Sequence, residues 1–332
     1  MIIINSYKNE LNAGLKAPED IIKIMYNEKR DKKINLYNDK SKMKKIMNIL
    51  KLLSLCFCKD VILVQYPSTF RFNVYKNYLS KRKIILLHDV EGIRKKEIST
   101  LKREIKGFDN FEYIICHNES MKKFLVKQGI SPQKIKCLEL FDYIVKEDKF
   151  VKNETDIRTI VYAGNLCKQK SPFLYQIKPK DINFKFNLYG VGIEENINEK
   201  MTYKGKYNPD ELPLKIEGNI GLVWDGNYDE SDENEGFKNY TKYNNPHKLS
   251  CYIAAGLPVI VWRKAAIADF VNKYNIGYTI ETIYDINNIN FNDYDEKLKN
   301  VRELSEKVKN GYFTRRVFDK IFEEMGVRKN EI

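Results

Sequence analysis

The sequence predicts an α/β protein made of two doubly wound, Rossmann-like domains that face each other across a cleft. Short β-branched or apolar runs alternate with helical patterns along most of the 332 residues. The runs form two series, at 2–5, 61–66, 83–88, 113–117 and 135–140, and at 159–164, 184–190, 219–224, 258–262 and 277–280. A charged stretch poor in apolar residues, 146–158, parts them. Runs apolar on both faces and separated by helices belong to parallel sheets covered on both sides. This places a first domain at 1–152 and a second at 153–311. The last helical pattern, roughly 299–325, is long enough to cross back, so the segment from about 312 to 332 is expected on the first domain. No short-period repeat is evident.

Composition agrees with two packed domains and narrows the partners. The chain is 43% hydrophobic and 12% aromatic, too apolar for disorder. Its formal net charge of +13 favours anionic partners, such as nucleic acid, anionic lipid or a phosphorylated substrate. A chain rich in Lys, Asn and Ile is equally the product of AT-rich codon usage. Of the six cysteines only Cys56 and Cys58 are close, and Cys-x-Cys lacks the second pair a zinc site needs. The apolar run from Ile2 is too short for a signal peptide, and no run of about 18 apolar residues occurs. The expectation is a cytoplasmic chain with reduced thiols.

In open parallel sheets, ligands bind beyond the carboxyl ends of the strands. The residues there are Asn5 and Ser6 with Gly14 further along the loop, then Tyr66–Pro67 and His88–Asp89. The second series offers Gly164–Asn165, Gly190, Trp224–Asp225 and the stretch KYNNPHKLSCYIAAGLPVIVW at 242–262. In that stretch Leu249, Tyr252 and Ile253 share one helix face. Asn245 suits an N-cap and Pro246 a first helical residue. Gly256 and Pro258 end the helix. His247 and Lys248, the latter at the third helical position, would then set two cations at the positive end of a helix. That opposes the macrodipole unless an anion lies between them. A solvated lysine is the alternative. No Gly-x-Gly-x-x-Gly or P-loop motif is present.

Three further features each leave two readings open. His88–Asp89 is a helix cap or a general base. The acidic run 225–236 lacks ordered ligand spacing, so a solvated loop is expected there and no metal site. The stretch 41–53 sets Met43, Ile46, Met47, Leu50 and Leu53 on one helical face, which packs on its own sheet or rests on an anionic membrane.

The run 240–262, with GNIGLVWDG upstream and KAAIADFV downstream, resembles a bacterial glycosyltransferase family. Its members include glucosyltransferases that extend O-linked N-acetylglucosamine on serine-rich repeat adhesins, and galactofuranosyltransferases of surface polysaccharides. LLHDV and YNPDEL extend the resemblance over most of the chain. It implies the GT-B fold, a UDP-sugar donor, no metal or cofactor, and often a tetramer. The first domain would face the acceptor and the second hold the donor. By similarity Asn245, His247 and Lys248 bind the diphosphate, Lys168 lies near it, Tyr207 lies beside the uridine, and the loop at Gly14 approaches from the acceptor side. Many retaining GT-B enzymes carry two glutamates eight positions apart; aligned on AAGLPVIV, those places hold Tyr243 and Cys251. An inverting displacement is therefore expected, with Asp89 or His88 deprotonating the acceptor hydroxyl. The expected reaction transfers glucose or galactofuranose to a glycan, on a GlcNAc-modified adhesin or a polysaccharide precursor. The competing readings are a non-catalytic relative that chaperones another transferase, and a nucleic-acid binder suggested by charge alone, for which no binding motif is present.

Overall fold

The computed structural model describes residues 1–5, 13–29, 31–36, 41–53, 60–68, 72, 82–145, 157–194, 197–228 and 239–327. The chain forms two packed units. The first comprises Met1–Leu11, Ala17–Glu139 and Phe313–Ile332; the second comprises Asn12–Lys16 and Leu140–Tyr312. The units divide at 139/140, ahead of the charged stretch, most of which (146–156) lies outside the described residues, as do Cys56 and Cys58.

The first unit holds a six-stranded parallel sheet of β1 (Ile2–Asn5), β2 (Lys32–Asn35), β3 (Ile62–Tyr66), β4 (Lys83–Leu87), β5 (Tyr113–Cys116) and β6 (Ile135–Cys137). Its order is β2-β1-β3-β4-β5-β6. The register sets Ile3 beside Leu63 and Ile85 beside Ile114, and Ile3, Ile4, Leu63, Val64 and Ile84 to Leu86 are wholly buried. The strands are apolar on both faces because helices cover both. These helices are α1 (Lys16–Met25), α2 (Lys42–Leu53), α3 (Glu91–Arg94), α4 (Ile98–Phe108) and α5 (Glu119–Lys127). Asn118 caps α5 by accepting from the Met121 N–H at 3.0 Å.

The second unit repeats this plan with β7 (Thr159–Asn165), β8 (Lys185–Val191), β9 (Met201–Gly205), β10 (Ile220–Val223), β11 (Val259–Trp262) and β12 (Gly277–Ile280). All pairs are parallel, in the order β12-β11-β10-β7-β8-β9. Its helices are α6 (Phe173–Gln176), α7 (Leu212–Lys215), α8 (His247–Ala254), α9 (Ile267–Lys273) and α10 (Tyr294–Lys309). From β7 the chain works outward to β9, then returns to lay β10 on the other side of β7. The strand order therefore reverses between β7 and β10, and loops part at such a point to leave a crevice.

The structure adds β2 and β9 to the strands legible in sequence. Both lie at sheet edges, and both carry exposed residues (Lys32 and Lys33; Thr202 and Tyr203) in place of a two-faced apolar run. The single helix expected at 299–325 is two. Gly311, in the left-handed region at φ 71°, separates α10 from α11 (Tyr312–Glu324). Helix α11 is tied within the first unit by Arg316 to Glu139 at 3.0 Å and Lys136 to Glu324 at 2.6 Å. Among the described residues, no helix is long and apolar enough to cross a membrane.

The parallel ends of β7 and β8 come together through glycines. Gly190 has φ 135°, and a Cβ there would lie 1.8 Å from the Gly164 carbonyl oxygen. Gly190→Ala should therefore destabilise the protein by about 1–3 kcal/mol, the usual cost of forced backbone strain. Urea unfolding checks this; an unchanged midpoint would mean that the strand ends yield freely.

Candidate functional site

Helix α8 is placed over the reversal point by two complementary features. Gly221 of β10 leaves room for the Tyr252 ring, since a Cβ there would lie 2.3 Å from it. The Tyr252 hydroxyl then accepts the Ala163 N–H of β7 at 2.7 Å. At its far end α8 closes with Gly256 at φ 73°, whose N–H bonds to Ile253 O, while Leu257 N–H reaches Tyr252 O.

At its near end the structure corrects the sequence reading by one residue. Pro246 is extended and occupies the N-cap position, and the helix begins at His247, with no side-chain cap. Asn245 precedes it and is buried. Lys248 is thus the second helical residue. Its Nζ donates to Asp225 Oδ1 at 2.8 Å, to Trp224 O at 3.0 Å and to the Tyr162 hydroxyl at 3.2 Å. It also lies 4.4 Å from the centre of the Tyr162 ring. Both members of the Lys248–Asp225 pair are mostly buried, each side chain 11% exposed. Burial, with Asp225's charge next, pushes the Tyr162 hydroxyl far up, so it stays a neutral phenol. A small pocket lined in part by Trp224, Asp225, Pro246 and Trp262 adjoins this pair.

His247 is not the cation the sequence suggested. Its ring stacks on Tyr143 at 4.8 Å and bonds to the Asp142 backbone carbonyl. The residue keeps some surface, yet its Nε2 is sealed from solvent and has no hydrogen-bond partner. Burial first, and the charge of Lys16 next, push its pKa down to about 3. The carbonyl bond opposes them and loses. Because a carbonyl only accepts, the ring N–H donates from Nδ1, and the sealed Nε2 carries a lone pair. Asn244 Oδ1 is a second buried acceptor without a partner.

Lys16 is a residue that sequence reasoning missed. It follows the turn Ala13–Leu15, where Gly14 is exposed. Its side chain, 2% exposed, pairs with Asp210 at 2.8 Å, donates to Ile144 O at 2.5 Å and lies 4.6 Å from the Tyr143 ring centre. The Tyr143 hydroxyl donates to Pro209 O at 2.6 Å. Through Lys16 and Tyr143 the Gly14 turn is tied to the His247 ring. Tyr143 sits in a loop without periodicity, so no sequence signal marked it, and Asp210 lies within YNPDEL, a stretch read only for Tyr207. Asp225 directly follows a strand and was legible.

Lys168 and Tyr207 lie at the β7–β9 side of the same unit. Lys168 N–H donates to Glu194 Oε1 at 2.8 Å, and its Nζ is 3.4 Å from Glu194 Oε2. That backbone bond, before the pairing, draws the Glu194 carboxyl below its ordinary range and joins the loops after β7 and β8. Tyr207 is 37% exposed, with its ring 6.1 Å from that of buried Tyr189.

His88 and Asp89 belong to the first unit, at the end of β4. Gln65 Nε2 donates to Pro18 O at 3.1 Å, which turns its Oε1 toward His88 Nε2 at 2.7 Å. That nitrogen must then carry the proton, and Nδ1 is the basic one. Asp89 Oδ2 pairs with Arg94 at 3.0 Å. The turn is held by wholly buried Glu104, which accepts from Glu91 N–H and Gly92 N–H, each at 2.8 Å, and from the Tyr66 hydroxyl at 2.7 Å. Burial raises the Glu104 carboxyl despite these bonds. His117 is structural: its Nε2 bonds to Leu87 O at 3.0 Å, and burial pushes it down to about 4.

Residues 1–140 match the N-terminal domain, and residues 160–321 the C-terminal domain, of the family described as glucosyltransferase 3-like. The chain belongs to this family. It is a glycosyltransferase. It is 31% identical to beta-1,6-galactofuranosyltransferase WbbI of Escherichia coli (strain K12), across 97% of this chain and 99% of the relative. It is 25% identical to glucosyltransferase 3 of Streptococcus gordonii, across 78% of each. Among solved structures, it resembles HepE of Anabaena, solved in complex with UDP (TM-score 0.62, 11% identity, covering 98% of this chain and 100% of that one). It also resembles the lipopolysaccharide outer core galactosyltransferase WaaB (TM-score 0.62, 12% identity, covering 97% and 99%). These likenesses show the fold, and the two parallel sheets are those of the GT-B glycosyltransferases. Within this glucosyltransferase 3-like chain, Lys16 beside the Gly14 turn, Tyr143 and His247 form one network of the second unit, and Asn245 and Lys248 flank His247 in sequence. Lys168 and Tyr207 stand at other strand ends of that unit. The acidic residues 229–238 lie outside the described residues; among those described, no three His, Cys, Asp or Glu side chains are grouped to hold a metal.

The buried neutral state of His247 has a measurable cost in acid. Below about pH 6.5 the unfolded histidine binds a proton that the folded one refuses, so stability falls as pH drops from 6.5 toward 3, by about 1.4 kcal/mol per pH unit for each such proton. His247→Gln should flatten this slope by about one proton, with His117 still supplying its own. Urea midpoints across that window check it; parallel slopes would mean a charged ring at the helix start.

Proposed function

We propose that the second unit binds a UDP-sugar and that the enzyme transfers its hexose to a glycan, inverting and without a metal. The observation that carries this is the start of α8, where donors and acceptors are set side by side at the strand reversal. The uncapped first turn and Lys248 Nζ suit a diphosphate. The partnerless His247 Nε2 and Asn244 Oδ1 suit hydroxyl groups. A sugar diphosphate offers both. As the sugar–phosphate bond breaks, negative charge grows on the leaving diphosphate, and the helix start with Lys248 meets it. Lys168 would assist, and Tyr207 offers a ring to the uracil. The glycine turn at Gly14 would reach the donor through Lys16. HepE, which has the same fold, was solved with UDP. Of glucose and galactofuranose, the longer and closer match to WbbI favours galactofuranose. A surface-polysaccharide precursor in the cytoplasm is then the acceptor we favour. Chelation should leave transfer largely intact, and loss of activity in EDTA restored by manganese would overturn the metal-free reading.

Tyr243 and Cys251 stand where two glutamates would serve a retaining enzyme, and burial pushes the Cys251 thiol up to about 12. Neither offers a carboxylate, which favours an inverting displacement with a separate base. Of His88 and Asp89, we assign the base to His88. Gln65 fixes its tautomer, while an arginine holds an oxygen of Asp89. His88→Asn should lower turnover about 10²–10⁴-fold with UDP affinity near wild type, and Asp89→Asn less than about tenfold. The reverse order in steady-state kinetics would move the base to Asp89.

Lys248→Met should weaken UDP binding on the order of 10–100-fold, while uridine binds as before. Because Asp225 then loses its cation, the melting temperature should also fall by roughly 4–8 °C, for a loss of about 2 kcal/mol. Adding Asp225→Asn should restore the melting temperature and leave UDP binding weak. Calorimetry with UDP and uridine reads both. Unchanged UDP affinity in the folded double variant would remove Lys248 from the site. A chain that binds UDP yet releases none from any UDP-sugar would instead be a non-catalytic partner of another transferase.

A further inference from the structure

Helix α2 buries the side opposite to the one its sequence would bury. Asn48 and Leu52 are 1% and 0% exposed, whereas Met43 is 70%, Ile46 58%, Met47 40%, Leu50 58% and Leu53 40% exposed. These five recur at helical spacing and form one stripe along the helix. A monomeric soluble protein rarely leaves so continuous an apolar face to water without a use for it. The stretch 41–53 holds four lysines, Lys42, Lys44, Lys45 and Lys51, and no acidic residue. By helical position Lys44 and Lys51 fall on one border of the stripe and Lys42 on the other.

We propose that this face docks the enzyme on an anionic lipid surface, with the apolar stripe entering the headgroup boundary and the lysines meeting lipid phosphates. Charge decides the occupant. A helix that lies in a membrane interface combines an apolar stripe with basic borders. A second copy of the chain, paired about a two-fold axis, would lay this lysine-only helix against itself. The net charge of +13 adds attraction to the same surface. Helix α2 carries none of the residues assigned to donor and acceptor, so docking and sugar transfer can be measured separately.

Sedimentation of the full chain with vesicles tests this. The wild type should pellet with a phosphatidylglycerol–phosphatidylcholine mixture at least about tenfold more than with phosphatidylcholine alone. Ile46→Glu with Leu50→Glu should cut that binding about tenfold or more, with melting temperature and UDP affinity unchanged, because both positions are exposed. Lys44→Glu with Lys51→Glu should erase the preference for the anionic mixture. Absence of wild-type binding to the mixture, or equal binding by wild type and the Ile46/Leu50 variant, would overturn the proposal. So would light scattering showing a dimer that this variant converts to monomer while vesicles bind neither, since a second copy would then cover the face.

Discussion

The second unit is organised around a mostly buried ion pair, Lys248 with Asp225, set where its sheet reverses its strand order. Much of the surrounding sequence serves it. Gly164 adopts φ 152°, a backbone conformation that favours glycine, and lies in van der Waals reach of the Lys248 side chain. Tyr162 offers its ring face to the ammonium and its hydroxyl to Ser171 at 2.6 Å and to Trp224 O at 3.1 Å. Tyr252, one helical turn further on, fixes α8 to β7. A lysine ordinarily loses much rotamer freedom when it grips a ligand; here Asp225, Trp224 O and Tyr162 already order it. On the proposed reading the cost falls elsewhere, because a diphosphate would have to share the ammonium with Asp225. The same arrangement recurs one loop away, where Lys16 is held by Asp210. Lys16 and Lys248 are each matched by an aspartate, so the added charge of a diphosphate bound as proposed would fall on the start of α8 and on ammonium groups already in place.

How much of this was legible in the sequence follows from how local each signal is. Interior strands declared themselves because burial on both faces demands apolar residues at every position, and so did the edge strand β12, read to the residue at 277–280. Edge strands β2 and β9 did not, because one side meets water and lysine or threonine serves as well there. The positions after the strands were readable for a topological reason, and Asp225 with Lys248 was among them. The charge of His247 was not readable. It is set by the Tyr143 ring, by the Asp142 carbonyl and by Lys16, which comes from more than two hundred residues away in sequence. Sequence gives the residue type at a helix start, while its protonation depends on what other loops bring to it.

The first unit shows the same division between local and distant signals. His88–Asp89 could be picked out because it closes a strand, but whether it caps a helix or abstracts a proton turned on partners outside the motif. The actual caps of α3 are the Glu104 oxygens, thirteen and twelve residues further on. With that duty filled by Glu104, His88 is left to be oriented by Gln65, itself anchored on the Pro18 carbonyl. A backbone acceptor at one end of this relay thus fixes which imidazole nitrogen is basic at the other.

The excess of positive charge takes on a different meaning once the site is described. A net +13 suggested a phosphorylated partner, yet Lys16 and Lys248 are each neutralised by an aspartate and contribute nothing to the excess. The surplus must lie elsewhere, and residues 41–53 supply four lysines and no acidic residue in thirteen positions. Lys44 and Lys51 border the apolar stripe that α2 turns outward. On the proposed readings, charge balance around Lys248 and a lysine-only stretch on α2 would separate two anions that net charge alone could not distinguish: a diphosphate, met by paired and pre-placed groups, and a lipid surface, met by a basic face.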